Sequence, residues 1–368
     1  MRKEGDISAE LAETVREAAA HTTALAIVGG GTKAFYGHET TGRPLDIGGH
    51  RGIQSYEPTE LVITARAGTP LAEIEAALAE QNQMLGFEPP HFSVASSEGS
   101  RPSPRESGAT LGGTIACGLS GPRRPWVGSA RDFVLGTKIL NGQGEILRFG
   151  GQVMKNVAGF DVSRLMAGAL GTLGVLLEIS LKVIPRPEQE LTLAFEMPAG
   201  PAIEAMNAWS ARPLPLSAAC HLGDTLYIRM SGAATALRAA RARLGGASVE
   251  AAEALWQELR EHRRRFFDGD VPLWRLSVPP AAPPLNLPGK WLTDWGGAQR
   301  WLKTDAPAAD IRHAAAAAGG HALLFRGGDR ASGVFHPLPP ALHALHRRLK
   351  QAFDPQRILN PGRLYSDL

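Results

Sequence analysis

Hydrophobic residues near the start of the chain recur first at helical and then at strand spacing. Leu11, Val15 and Ala18 follow Ser8 at helical spacing, and serine caps helix N-termini, so we predict a helix capped by Ser8. The apolar run Leu25–Val28 predicts a short buried strand. The chain therefore begins with a helix, a strand and a glycine-rich loop.

A second strand and helix follow. Residues 61–65, Leu-Val-Ile-Thr-Ala, predict a strand. Pro70 predicts the first residue of a helix, because proline lacks the N–H that has no intrahelical partner there. Leu71, Ile74 and Leu78 supply the apolar face of this helix.

Strand-like runs return between residues 133 and 183. Asn141-Gly142 predicts a β-hairpin over 137–149, because both residues tolerate positive φ in a tight turn. A further strand is predicted over 176–183. Residues 185–188, Pro-Arg-Pro-Glu, end this block, and we place a domain boundary there.

Helices alternate with largely antiparallel strands in the second half, which is typical of an α+β fold. We predict strands over 191–197, 218–231, 273–278, 298–304 and 321–326, and helices over 202–211, 234–244, 251–267, 309–318 and 342–353. Asp354-Pro355 ends the last helix. The predicted domains are 1–187 and 188–340, with a tail at 341–368.

Composition narrows the possible functions. The 368 residues carry 39 basic against 36 acidic side chains, so the charge balance gives no reason to expect a nucleic-acid partner. Cys117 and Cys220 are too few for a disulfide framework or an iron–sulfur cluster. No stretch approaches the ~20 apolar residues that span a bilayer, so we expect a cytoplasmic protein.

The first glycine-rich loop carries candidate chemistry. Gly29, Gly30 and Gly31 follow a strand, and consecutive glycines let backbone N–H groups converge on an anion such as a pyrophosphate. With Ala34, the loop also matches the nicotinamide-dinucleotide fingerprint, which requires a long helix next. The segment 37–44 contains two glycines and a proline and cannot sustain that helix.

Two further glycine-rich segments lie downstream, at 109–132 and 168–175. Separate glycine loops in one domain fit a ligand with two ends. This arrangement resembles the FAD-binding domain of the vanillyl-alcohol oxidase and p-cresol methylhydroxylase (PCMH) group.

Within that group, the chain is similar to the E subunits of bacterial glycolate oxidases. The similarity rests on Gly-Phe-Glu-Pro-Pro-His-Phe at 86–92, Gly-Leu-Ser-Gly-Pro-Arg-Arg-Pro at 118–125, Val-Met-Lys-Asn-Val-Ala-Gly-Phe-Asp at 153–161, and the tail at 353–365. The similarity covers residues 1–187 and 353–365. It implies a PCMH-type FAD-binding domain of two subdomains, an α+β (ferredoxin-like) cap domain over 188–340, and a tail that returns to the FAD domain.

The resemblance also implies non-covalent FAD and the residues that would surround it. The expected cofactor-binding residues are Val28, Gly29, Gly30, Gly31, Thr32, Lys33, Pro90, Leu111, Gly112, Gly113, Thr114, Gly118, Gly121, Gly128, Arg131, Asp132, Gly171, Gly174 and Val175. Cys117, inside the second loop, is either a flavin neighbour or a buried apolar residue.

The implied activity is oxidation of glycolate to glyoxylate, with electrons passing through flavin to an iron–sulfur partner. The implied partners are the D (flavin) and F (iron–sulfur) subunits, with at most peripheral membrane contact through the complex. Two alternatives stay open: a self-sufficient FAD-dependent dehydrogenase of another 2-hydroxy acid, or a flavin-bearing structural or electron-relay subunit without a substrate site.

Oxidation of a 2-hydroxy acid needs a base for the hydroxyl proton and a cation for the carboxylate. The sequence does not fix these residues; the candidates are His336, Arg326 and Arg275, and then His221, His91 and Arg363. Arg123, Arg124 and Arg131 are candidates for the cation near the flavin, or are solvated or ion-paired arginines.

We expect no metal site. Related 2-hydroxy-acid dehydrogenases carry His-x-Gly-Asp-Gly-Asn-x-His, whereas His221-Leu222-Gly223-Asp224 lacks the second histidine. A basic run over 260–267 is either a solvated helix face or a surface for a partner or an acidic membrane.

Overall fold

The computed structural model describes residues 5–92, 108–151, 161–331 and 333–368. Its helices are α1 (Ser8–Ala20), α2 (Leu71–Glu80), α3 (Leu111–Cys117), α4 (Arg124–Val127), α5 (Ala130–Phe133), α6 (Val162–Leu165), α7 (Ala199–Ser210), α8 (Ala234–Leu244), α9 (Ala252–Arg260), α10 (Ala308–Ala317) and α11 (Pro340–Phe353). Apart from Asp161, the predicted family segment 153–161 lies outside these residues.

The strands of the first half are β1 (Leu25–Val28), β2 (Arg43–Asp46), β3 (Ile53–Glu57), β4 (Val62–Arg66), β5 (Gln83–Met84), β6 (Val134–Leu140), β7 (Ile146–Gly150), β8 (Val175–Lys182) and β9 (Ile184–Pro185). Those of the second half are β10 (Gln189–Glu196), β11 (Leu216–Leu222), β12 (Thr225–Gly232), β13 (Ala247–Ser248), β14 (Leu273–Ser277), β15 (Lys290–Asp294), β16 (Gln299–Lys303) and β17 (His321–Arg326).

The first half is built around one antiparallel sheet and a parallel strand pair. Within the described residues the sheet has the order β3-β4-β8-β6-β7, while β1 pairs in parallel with β2. The apolar face of α2, formed by Leu71, Ile74 and Leu78, is fully buried in the same core. Each such side chain contributes roughly 1.5–3 kcal/mol by leaving water.

The second half forms an antiparallel sheet whose two faces have different neighbours. In the described chain the strand order is β13-β10-β12-β11-β15-β16-β14-β17. Alternation along β14 directs Trp274 and Leu276 into a core shared with α10, and Leu273 into a cluster on the opposite face. That cluster includes Tyr36 of the first half, so the inner face of the large sheet packs against the glycine-loop region.

The C-terminal tail is attached to β1. Leu25 N–H donates to Ile358 O over 2.7 Å, and Asn360 N–H donates to Leu25 O over 2.9 Å. Lys350 Nζ and Asp354 Oδ2 form a buried ion pair at 2.8 Å that holds the preceding turn. The tail therefore completes the wall next to the first glycine loop. The domain boundaries at 187/188 and 340/341 stay predictions.

The structure corrects several local predictions. Ile7, not Ser8, is the N-cap of α1; the Ser8 hydroxyl instead donates to Asp6 Oδ1. Pro70 is the N-cap of α2 rather than its first residue. The hairpin β6–β7 is confirmed, but positive φ occurs at Gly144, because the Asn141 side chain folds the loop by accepting from Gln143 N–H and Glu145 N–H.

Two longer segments also differ from prediction. The strand predicted over 218–231 is the hairpin β11–β12, which turns at Gly223-Asp224. The helix predicted over 251–267 ends at Arg260, so the rest of the basic run is loop and a 3₁₀ turn. β15 has no counterpart among the predicted strands.

Candidate functional site

A cleft opens beside the loop that follows β1. It encloses about 180 Å³ and is lined by Ile27, Val28, Gly29, Gly30, Gly31, Thr32, Lys33, Ala34, Thr40, Ile47, Thr110, Gly112, Gly113, Ala116, Cys117, Leu170, Gly171, Gly174, Leu176, Asn360 and Arg363. The three glycine-rich segments and the C-terminal tail therefore meet at one place.

The first loop, which lines this cleft, has a row of backbone N–H groups without partners among the described residues. Within the described parts of the chain, the N–H groups of residues 29–33 have no hydrogen-bond partner. Gly31 has a φ of +72°, and a Cβ built there would meet nothing within 4 Å, so the loop is open on that side. Successive N–H groups in such a turn form a concave site for an anion.

Other glycines bring the first two loops together. A Cβ on Gly29 would lie 2.6 Å from Thr110 Oγ1, and one on Gly112 would lie 2.7 Å from Ala67 Cβ. These residues must be small because the loops pack directly on neighbouring atoms. Thr110 Oγ1 also accepts from Gly113 N–H at the start of α3. The second loop is thus fixed beside the free donors of the first.

The C-terminal tail contributes two polar side chains to the cleft. Asn360 Oδ1 accepts from Ile27 N–H over 2.7 Å, and its Nδ2 donates to Leu170 O over 2.7 Å. The Arg363 guanidinium donates to His38 O over 2.7 Å and Ala34 O over 3.0 Å. Asn360 was not a sequence candidate and Arg363 was considered only for catalysis, since sequence spacing does not reveal a contact between residues 27 and 360.

Lys33 and Cys117 form the part of the cleft nearest the large sheet. Lys33 Nζ is buried, and its hydrogen bonds to described residues are long, at 3.4 Å each, to Thr32 Oγ1 and His91 O. Burial lowers the pKa of the Lys33 ammonium and raises that of the Cys117 thiol, although each group partly opposes the other's shift. The cation is therefore weakly compensated by the protein.

About half of the predicted cofactor-binding residues line the cleft. These are Val28, Gly29, Gly30, Gly31, Thr32, Lys33, Gly112, Gly113, Gly171 and Gly174. The structure places the others outside its lining: Pro90, Leu111, Thr114, Gly118, Gly121, Gly128, Arg131, Asp132 and Val175. Asp132, for example, accepts from Ser129 N–H and Ser129 Oγ, each at 2.8 Å, and so caps α5.

Two predicted arginines near the second loop have structural partners instead. Arg123 is buried, donates to Glu88 Oε1 over 3.2 Å and also pairs with Glu190. Arg124 lies over the Trp295 ring, 4.3 Å from its centroid. The Arg123–Glu190 and Arg124–Trp295 contacts join the first half of the chain to the large sheet.

The catalytic candidates separate into two groups. Arg275 and Arg326 lie together on the inner face of the large sheet, where each guanidinium stacks near aromatic rings of the glycine-loop side. The candidate histidines lie elsewhere: His336 Nδ1 accepts from Ala322 N–H over 3.4 Å, His221 Nε2 bonds Met197 O over 2.9 Å, and His91 Nε2 lies 3.0 Å from Glu75 Oε2.

The structure instead places His262 beside the two arginines. Its ring stacks on Phe267 at 3.9 Å, and its buried Nδ1 has no hydrogen-bond partner in the described chain. Burial, reinforced by the Arg326 and Arg275 charges, holds the pKa of His262 well below its ordinary value. His262 lies in the basic run over 260–267, whose charged composition does not indicate that one of its residues is buried.

A metal site is not evident in the described residues, where no cluster of three His, Cys, Asp or Glu side chains is arranged for one. The predicted segment at His221 forms the end of β11 and the hairpin turn. Nor does any helix in these residues have the length and apolar character needed to cross a membrane.

The fold and cleft define an FAD-linked oxidoreductase. Residues 7–150 match the family described as FAD binding domain, and residues 335–364 match FAD linked oxidases, C-terminal domain. Over 368 residues, the chain is 50% identical to glycolate oxidase subunit GlcE of Escherichia coli (strain K12), with 100% of each chain covered. The chain belongs to the GlcE family.

One more distant relative and one solved structure extend the comparison. Glycolate oxidase subunit GlcD of Bacillus subtilis (strain 168) is 41% identical over 85 residues, which is 23% of this chain and 18% of that protein. The crystal structure of p-cresol methylhydroxylase with substrate bound superposes with a TM-score of 0.68 at 16% identity, covering 99% of this chain and 88% of the other. The likeness to it shows the fold alone and confirms the α+β, PCMH-type prediction.

The cleft fits FAD on its own chemistry. Its free N–H groups and the Lys33 ammonium suit a ligand with anionic groups, and Ile27, Ile47 and Leu176 provide an apolar wall for a flat ring. The nicotinamide alternative fails structurally as well, because no helix follows the first loop before β2.

Proposed function

We propose that this chain is the FAD-binding subunit of a multisubunit enzyme that oxidises glycolate to glyoxylate. The observation that carries the proposal is the 50% identity to glycolate oxidase subunit GlcE over the whole of both chains. The partial similarity to a GlcD subunit supports a complex that contains related flavin subunits. The proposed partners are a D flavin subunit and an F iron–sulfur subunit.

We assign the binding of FAD to the cleft-lining residues. Residues 29–33 would bind the pyrophosphate through their free N–H groups, and Gly112, Gly113 and Gly171 would let the cofactor approach the backbone. Bound FAD supplies a two-electron acceptor. Because Cys117 and Cys220 are the only cysteines, an iron–sulfur acceptor must belong to another subunit.

The inner face of the large sheet is the proposed place for substrate. Arg275 and Arg326 would bind the glycolate carboxylate, since a guanidinium matches a carboxylate in charge and hydrogen-bonding geometry. His262 would accept the hydroxyl proton, because its ring lies with the two arginines and its Nδ1 has no hydrogen-bond partner among the described residues. His336 and His221 are less suitable because their rings contact backbone groups elsewhere.

The second candidate is a flavin-bearing electron-relay subunit without its own substrate site. One observation favours it: His221, in the segment that resembles a metal motif, directs Nε2 to the Met197 carbonyl. The ring is thus engaged in linking β11 to the start of α7.

An anaerobic absorbance experiment tests the proposal. The chain is reconstituted with FAD and combined with D and F subunits, and spectra are recorded before and after glycolate is added. Glycolate should bleach the flavin bands of the complete complex, and leaving out this chain should abolish the bleaching. Bands that persist in the complete complex would overturn the proposal.

The isolated chain distinguishes the two candidates. Bleaching of its bound flavin by glycolate places a substrate site on this subunit, and R275M and R326M should then abolish the bleaching while FAD stays bound. Bleaching that occurs only in the complex supports the relay candidate.

A further inference from the structure

The chain contains two buried lysines whose surroundings differ. Lys350 Nζ is 2.8 Å from each of Thr172 O, Asp354 Oδ2 and Leu359 O, so its three N–H donors and its charge are all satisfied. Lys33 Nζ has two contacts at 3.4 Å, and no described carboxylate oxygen lies within 4.0 Å of it. The Lys350 ammonium has a carboxylate partner, whereas the part of the chain that the structure describes offers Lys33 no carboxylate at ion-pair distance.

The neighbours of Lys33 do not neutralise it. Glu261 attracts it from a distance, but this carboxylate accepts from His91 N–H and Phe92 N–H over 2.8–3.2 Å. Arg363, the other cation at the cleft, has its guanidinium engaged by backbone carbonyls. A buried cation without a close counter-charge destabilises a fold, and among the described residues none supplies that charge, so an anionic ligand in the cleft would stabilise Lys33.

The location of Lys33 suggests which anionic group it meets. The ammonium lies 5.8 Å from the Phe92 ring, in the aromatic cluster that joins the glycine loops to the large sheet. Cys117, which also lines the cleft, packs on that same cluster. Lys33 therefore extends from the free N–H groups toward the large sheet, on which the proposed substrate residues lie.

We propose that the Lys33 ammonium stabilises the negative charge that the flavin ring gains on reduction, rather than the permanent charge of the pyrophosphate. This inference rests on the proposed binding of FAD in the cleft. A reduced flavin carries negative charge at the pyrimidine edge of its ring, and a nearby cation in a water-poor site favours that form. Lys33 thus raises the reduction potential of the bound flavin and takes no part in proton transfer.

The Lys33→Met variant tests the inference through binding, redox potential and stability. Binding of oxidised FAD should change by less than about threefold, and binding of reduced FAD should weaken about tenfold more than that of oxidised FAD. A tenfold difference corresponds to about 30 mV for a two-electron couple, so the midpoint potential of the bound flavin should fall by that amount. The melting temperature of the apoprotein should stay the same or rise, because an uncompensated charge has been removed.

Two control variants accompany it. Lys33→Arg keeps the charge, so the midpoint potential of its bound flavin should stay close to that of wild type. Lys290→Met removes an exposed lysine from the start of β15 and should change none of the three quantities. Flavin fluorescence titration, dye-linked potentiometry and thermal melts of the apoprotein supply the measurements.

Each other outcome overturns the inference. Equal weakening of oxidised and reduced FAD would assign Lys33 to the pyrophosphate. A variant that fails to fold, or whose apoprotein melts lower, would make Lys33 a structural residue, and an unchanged potential would remove its tuning role. A wild-type chain that does not bind FAD would overturn the proposed function itself.

Discussion

Gly31 shows how a single backbone angle shapes the proposed cofactor site. Its φ of +72° is unfavourable for residues with a Cβ, although a Cβ there would have free space. Substitution should therefore act through backbone strain and not through a clash. The strain falls on the loop that lines the cleft.

Gly31→Ala should weaken FAD binding roughly tenfold, because ~1–2 kcal/mol of left-handed strain would shift the donors of the first loop. Flavin fluorescence titration measures the change. The matched control is Gly200→Ala in α7, where a Cβ also meets nothing within 4 Å but φ is not positive. Equal affinities for Gly31→Ala and wild type would show that the loop does not need this conformation.

In the proposed cofactor site, the residues that contribute through their backbone could be identified from the sequence. Gly29, Gly30 and Gly31 were named from composition and position alone, since few residues other than glycine suit a loop that must approach a ligand so closely. His262 and Asn360 could not be assigned a place in the site, because their positions depend on packing between segments far apart in sequence.

At the scale of elements, the turn between β15 and β16 links the two halves of the molecule. Asp294 Oδ1 accepts from Trp295 N–H over 2.7 Å, and Trp295 Nε1 donates to Gly121 O over 3.0 Å. Burial, aided by the Glu88 charge and opposed by the Trp295 and Gln299 hydrogen bonds, raises the pKa of Asp294 to about 7. The carboxyl group that caps this docking turn thus titrates near neutrality.

The stability of the chain should depend on pH through Asp294. Because its pKa is above the ordinary value of 3.8, its contribution is fully present below that value and is lost as pH rises through about 7. Asp294→Asn removes the titration, so the melting temperature should fall less between pH 5 and pH 8.5 than in wild type. The exposed Asp224→Asn serves as control. Parallel pH profiles for Asp294→Asn and wild type would contradict the assignment.

Elements were predictable where the pattern is local. The core faces of α1 and α2 and the β6–β7 hairpin follow from apolar spacing and turn residues. The predicted strand over 218–231 failed because apolar residues continue on both sides of a two-residue turn. Periodicity does not show where a hairpin reverses when the turn is that short.

At the scale of the whole molecule, a buried ion network joins the two halves. Glu88 accepts from Arg123 Nε over 3.2 Å and from Arg229 Nη2 over 2.8 Å, and Arg229 lies on β12. Although burial opposes it, the Arg229 and Arg123 charges lower the pKa of Glu88. The carboxylate is therefore held ionised between two guanidinium groups from opposite halves.

Glu88→Gln should destabilise the protein by about 3 kcal/mol, because two buried guanidinium groups lose a shared counter-charge that Glu190 replaces only in part. Urea unfolding at neutral pH measures the loss. Glu258→Gln breaks a half-exposed pair with Arg264, 3.0 Å apart, and should cost no more than about 1 kcal/mol. A loss of similar size in both variants would mean that the network does not hold the halves together.

The attachment of the tail to β1 has a consequence for how the protein is made. The cleft needs Asn360 and Arg363 as well as the loop at 29–33, so its walls are separated by most of the polypeptide. During synthesis the first glycine loop leaves the ribosome long before its C-terminal neighbours exist. Tight binding of the cofactor therefore requires the completed chain. Nascent chains that stall before residue 360 should remain without flavin.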